Sequence, residues 1–542
     1  MAAAFFHSPE VPMSRPYRAA GPLTALLLAA LVTGCGDAPP PASPSPTPVP
    51  SPTASPVPVE HLPLPVDDAS LTQVLLHDAD GTFDRYGSIG QLQGTSSTCT
   101  AVLLDTDASD SAPAFAVTNG HCVGINGTNE RMVDAEAGEA AVAFDWFVDV
   151  PDHHVVPVAR IAWASMRETD IAVLELAASV GELRDLGLKG WRPMDTPLGG
   201  SRDVVMLGIP VGAPIVDIPE AERFLRLGTC SLDTEPVRLN ERQWLWSHAL
   251  RNDCPEVLPG NSGSAVLDAQ TGWLVGLINT TTYRGEQGAE CWLGRPCEST
   301  ADGEVAVPDT SYAQPVAGIE RCFTKDGVFT PGGRCPLEPG TGAEIAGAPL
   351  TVNPTVVPAV DLLPVQQTTW ATTVAGDGIT HYRYKIGPLG TQDCSIEQGY
   401  SAPTPVTTPI DDALPTTEQR LLLCVLGGPS ATPDAAWQAP ANASLWIAYI
   451  DTTAPTVPVT FSVDGDAKTG WRIEPVFNPP ELSLYMIKDG PAKTTDCKDL
   501  SDYGFYRRIP INIPADGVPH RFCAIGFDDA TNASEPAGRV LR

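Results

Sequence analysis

The sequence has no run of basic residues. Its 542 positions carry 65 acidic against 33 basic side chains, a formal charge of −32. Such a surface repels phosphates, which excludes nucleic acid as a partner. The acidity reads as solubility, with attraction of basic polypeptides as the sharper alternative. Nor is there a Cys-x-x-Cys pair among the 13 cysteines, so the sequence offers no metal-binding framework of that kind. His153, His154 and His248 have no acid or cysteine spacing around them that makes a metal site. A long apolar run is missing too. The one at Leu23–Val32 is too short for an ordinary membrane span.

What is present begins with an export pattern. Met13 is followed by Arg15 and Arg18, then by the apolar run, which ends in Leu31-Val32-Thr33-Gly34-Cys35. These are the parts of a secretory signal, with residues 1–12 lying ahead of it. The exit resembles a bacterial lipobox. That resemblance implies cleavage before Cys35 and a diacylglycerol on its sulfur. The chain would then be held on a membrane of the bacterial cell envelope. A plain signal peptide with an incidental cysteine, and so a secreted chain, is the alternative. Residues 1–35 are assigned to this signal. Residues 36–65, rich in Pro, Ser, Ala, Thr and Val, cannot bury a core and read as an extended spacer. With Cys35 set apart, an even number of cysteines remains, which in an exported chain suggests disulfides. The length allows two to four domains.

The remainder is organised around Leu258-Pro259-Gly260-Asn261-Ser262-Gly263-Ser264-Ala265-Val266. The glycines permit backbone angles that other residues avoid and a close approach by a ligand. A serine hydroxyl is a weak nucleophile and needs a base, and the base needs an orienting acid. Upstream, Val117-Thr118-Asn119-Gly120-His121-Cys122 places a histidine at the end of an apolar strand. Thr169-Asp170-Ile171-Ala172-Val173-Leu174 places an acid at the mouth of another. Each alone has a plain reading: a buried structural histidine, a strand-end surface acid, a glycine-rich turn. Together they run His, Asp, Ser.

In that order the three motifs resemble those of chymotrypsin-like (trypsin-fold) serine peptidases, in particular the bacterial secreted branch that carries Gly-Asn-Ser-Gly-Ser. The resemblance implies an all-β domain over residues 66–335, a chymotrypsin-like double β-barrel with the site in its cleft. It implies peptide-bond hydrolysis through an acyl-enzyme on Ser262, with His121 as base and Asp170 orienting it. The backbone N–H groups of Gly260 and Ser262 would form the oxyanion hole. A polypeptide is the implied substrate, and no cofactor or metal is implied. Animal members carry an aspartate before the nucleophile to capture a new N-terminal ammonium. Here Asn261 stands there, so the site is expected to form on folding without that ion pair.

The same resemblance puts the floor of the substrate pocket six residues before the nucleophile, at Glu256, which either attracts Lys or Arg or is a solvated loop acid. The pocket wall falls on Asn279, Thr280 and Thr281, without the histidine of Glu-specific relatives. It pairs Cys99 with Cys122 beside His121. Cys230 with Cys254, Cys291 with Cys297, and Cys322 with Cys335 are plausible further bridges. From about Pro349 the composition shifts to Thr, Pro, Val and Ala. Two segments repeat a strand, an Asp-Cys and a later strand cysteine: Tyr382 to Cys394 and Cys424, then Leu484 to Cys497 and Cys523. They read as two immunoglobulin/fibronectin-like β-sandwich modules, 349–455 and 456–542, each with its own bridge and with an unknown ligand. The rival to a peptidase is a catalytically weak scaffold acting as a surface-binding or adhesion lipoprotein.

Overall fold

A computed structural model describes residues 62–64, 73–95, 97–197, 199–212, 218–283, 291, 294–332, 334–337, 342–355, 367–479 and 481–542. The signal, Cys35 and nearly all of the Pro-rich segment lie outside these. The described residues all fall in one unit, Pro58–Arg542. None of their helices is long and apolar enough to cross a membrane.

Six strands build the first barrel: β1 Ile89–Gln93, β2 Cys99–Leu103, β3 Pro113–Thr118, β4 Ala141–Phe144, β5 His154–Ser165 and β6 Ile171–Ser179. They pair antiparallel in the order β5-β4-β1-β2-β3-β6, and β5 pairs β6 to close the ring. Strand side chains alternate between faces, and here both faces are buried. Ala101, Leu103, Ala116, Ala172 and Leu174 point into one apolar cluster. Val102, Phe115, Val117, Ile171 and Val173 point into a second, which also receives residues of the second barrel. This double burial explains why the sequence of β3 is a continuous apolar run.

The second barrel is made from β7 Ser201–Gly208, β8 Arg226–Glu241, β9 Trp244–Asn252, β10 Ala265–Asp268, β11 Leu274–Thr281 and β12 Ser311–Pro315. The order is β9-β12-β11-β10-β7-β8, with β8 pairing β9 to close it. Val205, Leu207, Ala265, Leu267 and Leu277 supply its side of the cluster shared with the first barrel. The two rings are therefore cemented by one core, which fixes the loops at their junction.

Beyond the barrels lie two small sandwiches built alike. In the first, His381–Pro388 pairs Gln419–Gly428, with Lys385 opposite Cys424. In the second, Leu484–Pro491 pairs His520–Phe527, with Lys488 opposite Cys523. Each lysine sits over a tyrosine, Tyr400 or Tyr503. Each of these tyrosines donates its hydroxyl, at 2.8 Å, to the carbonyl of the bridged cysteine, Cys394 or Cys497. The sequence repeat is thus a repeat of register and of packing. The six disulfides join Cys99–Cys122, Cys230–Cys254, Cys291–Cys297, Cys322–Cys335, Cys394–Cys424 and Cys497–Cys523.

Candidate active site

Strand β3 ends at Thr118 and the chain turns at once into a short 3-10 helix, Gly120–Val123, that carries His121. Asn119 holds the turn by donating its side-chain amide to the Asp170 carbonyl at 2.8 Å. Cys122 ties it to β2 through Cys99. A Cβ on Gly120 would run into the Ser165 carbonyl oxygen, so only glycine lets the turn sit this close to β5. Asp170 immediately precedes β6 and is 0% exposed. Its Oδ1 accepts the His121 backbone N–H at 2.9 Å, and its Oδ2 meets the His121 Nδ1 at 2.6 Å. The carboxylate thereby fixes both the backbone and the ring of one residue. With Nδ1 as the protonated nitrogen, Nε2 is left as the acceptor.

Ser262 lies in the loop Leu258–Ser264 that enters β10. The loop is held from the first barrel by one residue, Thr100 of β2. The Thr100 N–H donates to the Ser262 carbonyl at 2.8 Å, and its hydroxyl donates to the Gly260 carbonyl at 2.9 Å. The Thr100 carbonyl in turn accepts the Thr118 hydroxyl at 2.7 Å. The serine loop and the histidine strand are therefore fastened to the same threonine. Sequence reasoning missed Thr100, because nothing local marks a strand threonine as a clamp.

Within the loop the backbone donors alternate. Asn261 N–H is bonded to Leu258 at 2.9 Å and Gly263 N–H to Ile278 at 2.8 Å. Among the described residues, the N–H groups of Gly260 and Ser262 have no acceptor. Gly260 adopts φ +100° and Gly263 φ +83°, the left-handed region that favours glycine. Two free donors flanking a serine can take up an oxyanion. The uncharged Asn261 completes the loop locally: its Oδ1 accepts the Leu258 N–H at 3.0 Å and its amide donates to the Ser264 hydroxyl at 3.4 Å.

The expected pocket residues divide. Asn279 is buried and donates its amide to Asp170 Oδ2, so its side chain supports the acid. The Thr281 hydroxyl bridges to the Thr310 carbonyl at 3.2 Å and the Ser311 hydroxyl at 3.0 Å, closing β11 against β12. Glu256 sits at φ +51° in a turn whose carbonyls, with that of Pro255, are held by the Gln73 amide at 3.2 and 2.8 Å. Cys99, Cys122 and His121 converge, yet both sulfurs are committed to a disulfide and have no thiolate to offer a metal.

Burial alone would lower the His121 pKa. The charge and hydrogen bond of Asp170, with the charge of Glu241 added, outweigh it and carry the imidazole above its ordinary value. Glu241, at the end of β8, is itself pushed up by burial, against the Gly294 N–H, Thr280 and His121, which favour its charged form.

Residues 99–277 match the family model described as the trypsin-like peptidase domain. The match falls on the barrel region, which is similar to that domain over this stretch. No curated protein matches the chain. Among solved structures, the chain is similar to the thermostable serine protease AL20 of an extremophilic microorganism. That pair is 14% identical, over 43% of this chain and 93% of the other, with a TM-score of 0.28. A Glu endopeptidase is 17% identical over 45% and 90%, with a TM-score of 0.24. An inactivated protease paralogue of the scabies mite is 15% identical over 43% and 91%, with a TM-score of 0.28.

Proposed function

We propose that the protein is a serine endopeptidase in which Ser262, His121 and Asp170 act as a triad. The observation that carries this reading is the buried Asp170 holding the His121 ring at 2.6 Å, together with a serine loop fastened to the same Thr100 as the histidine strand and carrying N–H groups at Gly260 and Ser262 that have no acceptor among the described residues. In the proposed reaction Ser262 Oγ attacks the peptide carbonyl carbon and its proton passes to His121 Nε2. The oxyanion takes hydrogen bonds from the Gly260 and Ser262 N–H groups. Collapse breaks the C–N bond as His121 returns the proton to the leaving amine. Water, activated by the same histidine, then releases the acid from the acyl-enzyme. Asp170 stabilises the imidazolium that forms in both halves.

The proposal extends to location: export by the N-terminal signal and attachment to the bacterial envelope through a lipid on Cys35, with residues 36–65 as the spacer. The test of the chemistry is labelling of the purified chain by a fluorophosphonate, with Ser262→Ala as control. Labelling of the native chain and not of the variant supports it. A folded, fully oxidised chain that takes no label overturns it.

A further inference from the structure

Residues 166–170 link β5 to β6 and end on the acid of the site. A carboxylate at the end of an irregular segment is aimed only as well as the segment is held. The holds come from three sides. The Met166 N–H donates to the Glu130 carbonyl at 3.1 Å, in the loop that follows the His121 helix. Glu168, at φ +60°, forms an isolated β-bridge with Trp246 of β9 and accepts the Ser247 hydroxyl. The Thr169 hydroxyl donates to Gln314 Oε1 of β12 at 3.2 Å. Arg167 reaches the other way, out of the barrels.

Arg167 is 6% exposed, and its Nη1 donates to the Ser444 hydroxyl at 3.4 Å. Ser444 opens the strand Ser444–Ile450 of the first sandwich. The guanidinium lies against Gly342, where a Cβ would run into it. The next residue, Ala343, is in the core of that sandwich. Gln438 ties the seat together, donating to the Ser444 hydroxyl at 3.1 Å and accepting the Ala343 N–H at 3.0 Å. Burying an arginine costs hydration, and a fixed seat restores part of it.

Three pairs of chain neighbours then close a ring. Asn129 is bonded to Leu445, Glu130 to Met166, and Arg167 to Ser444. One corner lies in the loop after His121, another leads into Asp170, and the third belongs to the sandwich. We propose that Arg167 is a positioning residue: its insertion into the first sandwich holds residues 166–170 so that Asp170 is presented to His121, which makes the sandwich a working part of the site. The role rests on the serine peptidase reading above, and Arg167 acts through Asp170.

The test is the second-order rate of fluorophosphonate labelling against pH, for the whole chain and its Arg167→Ala and Gly342→Val variants. The second leaves the barrels untouched and fills the seat from the sandwich side. Melting curves fix a temperature at which each chain is folded, and the end-point of labelling counts competent serines. A loosened Asp170 is expected to lower the plateau rate by on the order of 10- to 100-fold. It also weakens the charge and hydrogen bond that raise the His121 pKa, so the midpoint of the profile moves to lower pH. Both variants break one contact, so the double variant is expected to label about as fast as the slower single one. A lower melting temperature with the wild-type plateau and midpoint overturns the proposal and leaves the peptidase reading intact, since it assigns Arg167 to stability alone. Additive losses in the double variant overturn it too. Should R167A melt below the assay temperature, G342V decides by the same criteria. A wild-type chain that takes no label removes the peptidase reading, and this proposal with it.

Discussion

The side-chain amide of Asn129 exchanges two hydrogen bonds with the backbone of Leu445, donating to its carbonyl at 2.7 Å and accepting its N–H at 2.6 Å. Asn129 belongs to the first barrel and Leu445 to the strand Ser444–Ile450 of the first sandwich. Around them, Leu245 of β9 packs among Leu389, Leu422 and Leu445. Arg238 donates to the carbonyls of Leu389 and Gln392, and Arg167, three residues before Asp170, reaches Ser444 at 3.4 Å. The first sandwich is therefore part of the body that carries the site.

Asn129→Ala removes both bonds and leaves the Leu445 groups unpaired at a packed interface. The expected loss is about 1–3 kcal/mol. It is read as a lower denaturant midpoint with an unchanged slope. An unaltered midpoint would mean that the contact contributes nothing to holding the sandwich.

The charge around His121 makes a pH prediction. Asp170 and Glu241 favour the imidazolium and raise the His121 pKa, and the imidazolium cannot accept the Ser262 proton. Activity is therefore lost as pH falls through that raised value. The acid limb of kcat/KM is expected above the ordinary histidine midpoint of about 6.5. Glu241→Gln deletes one of the two charges, so its limb should move to lower pH. A limb that stays put, or moves upward, contradicts the assignment of His121 as the titrating base.

Asn261 is fully buried and holds the loop with neutral hydrogen bonds. Asn261→Asp would place a charge where water is excluded, with only the Leu258 N–H and the Ser264 hydroxyl in hand. A loss of roughly 2–4 kcal/mol is expected, together with slower fluorophosphonate labelling as the free N–H pair is disturbed. Full stability and full labelling at neutral pH would show that the loop tolerates the charge by another route.

The barrels were legible from their apolar strands, and a strand followed by a chemically loaded turn is what marked His121, Asp170 and Ser262 as candidates. The bridges were legible because their cysteines are near neighbours, from 6 to 30 residues apart. Thr100, Glu241 and Asn129 left no such trace. Thr100 acts through contacts 18 and 160 residues away, and Asn129 through one 316 residues away. Their importance comes from closure of the barrels and docking of the sandwich. Asn279 was marked only through its strand, as part of a pocket wall, and its tie to Asp170 left no trace. Period-two alternation of strand side chains does not tell which of two buried neighbours a strand-end amide will meet.

That amide yields the last prediction. Asn279 donates to the same Asp170 oxygen that holds the His121 ring, so it constrains where the carboxylate points. Asn279→Ala should leave Asp170 in place but less well aimed. A hydrogen bond to a charged group contributes about 1.5–3 kcal/mol, or roughly a 10- to 100-fold effect. The loss should fall on kcat, because orientation of the imidazole matters most as it becomes charged in the transition state. KM should change little. A variant that raises KM while keeping kcat would return Asn279 to the pocket wall, and one that simply unfolds would show it in the melting curve before any kinetics are read.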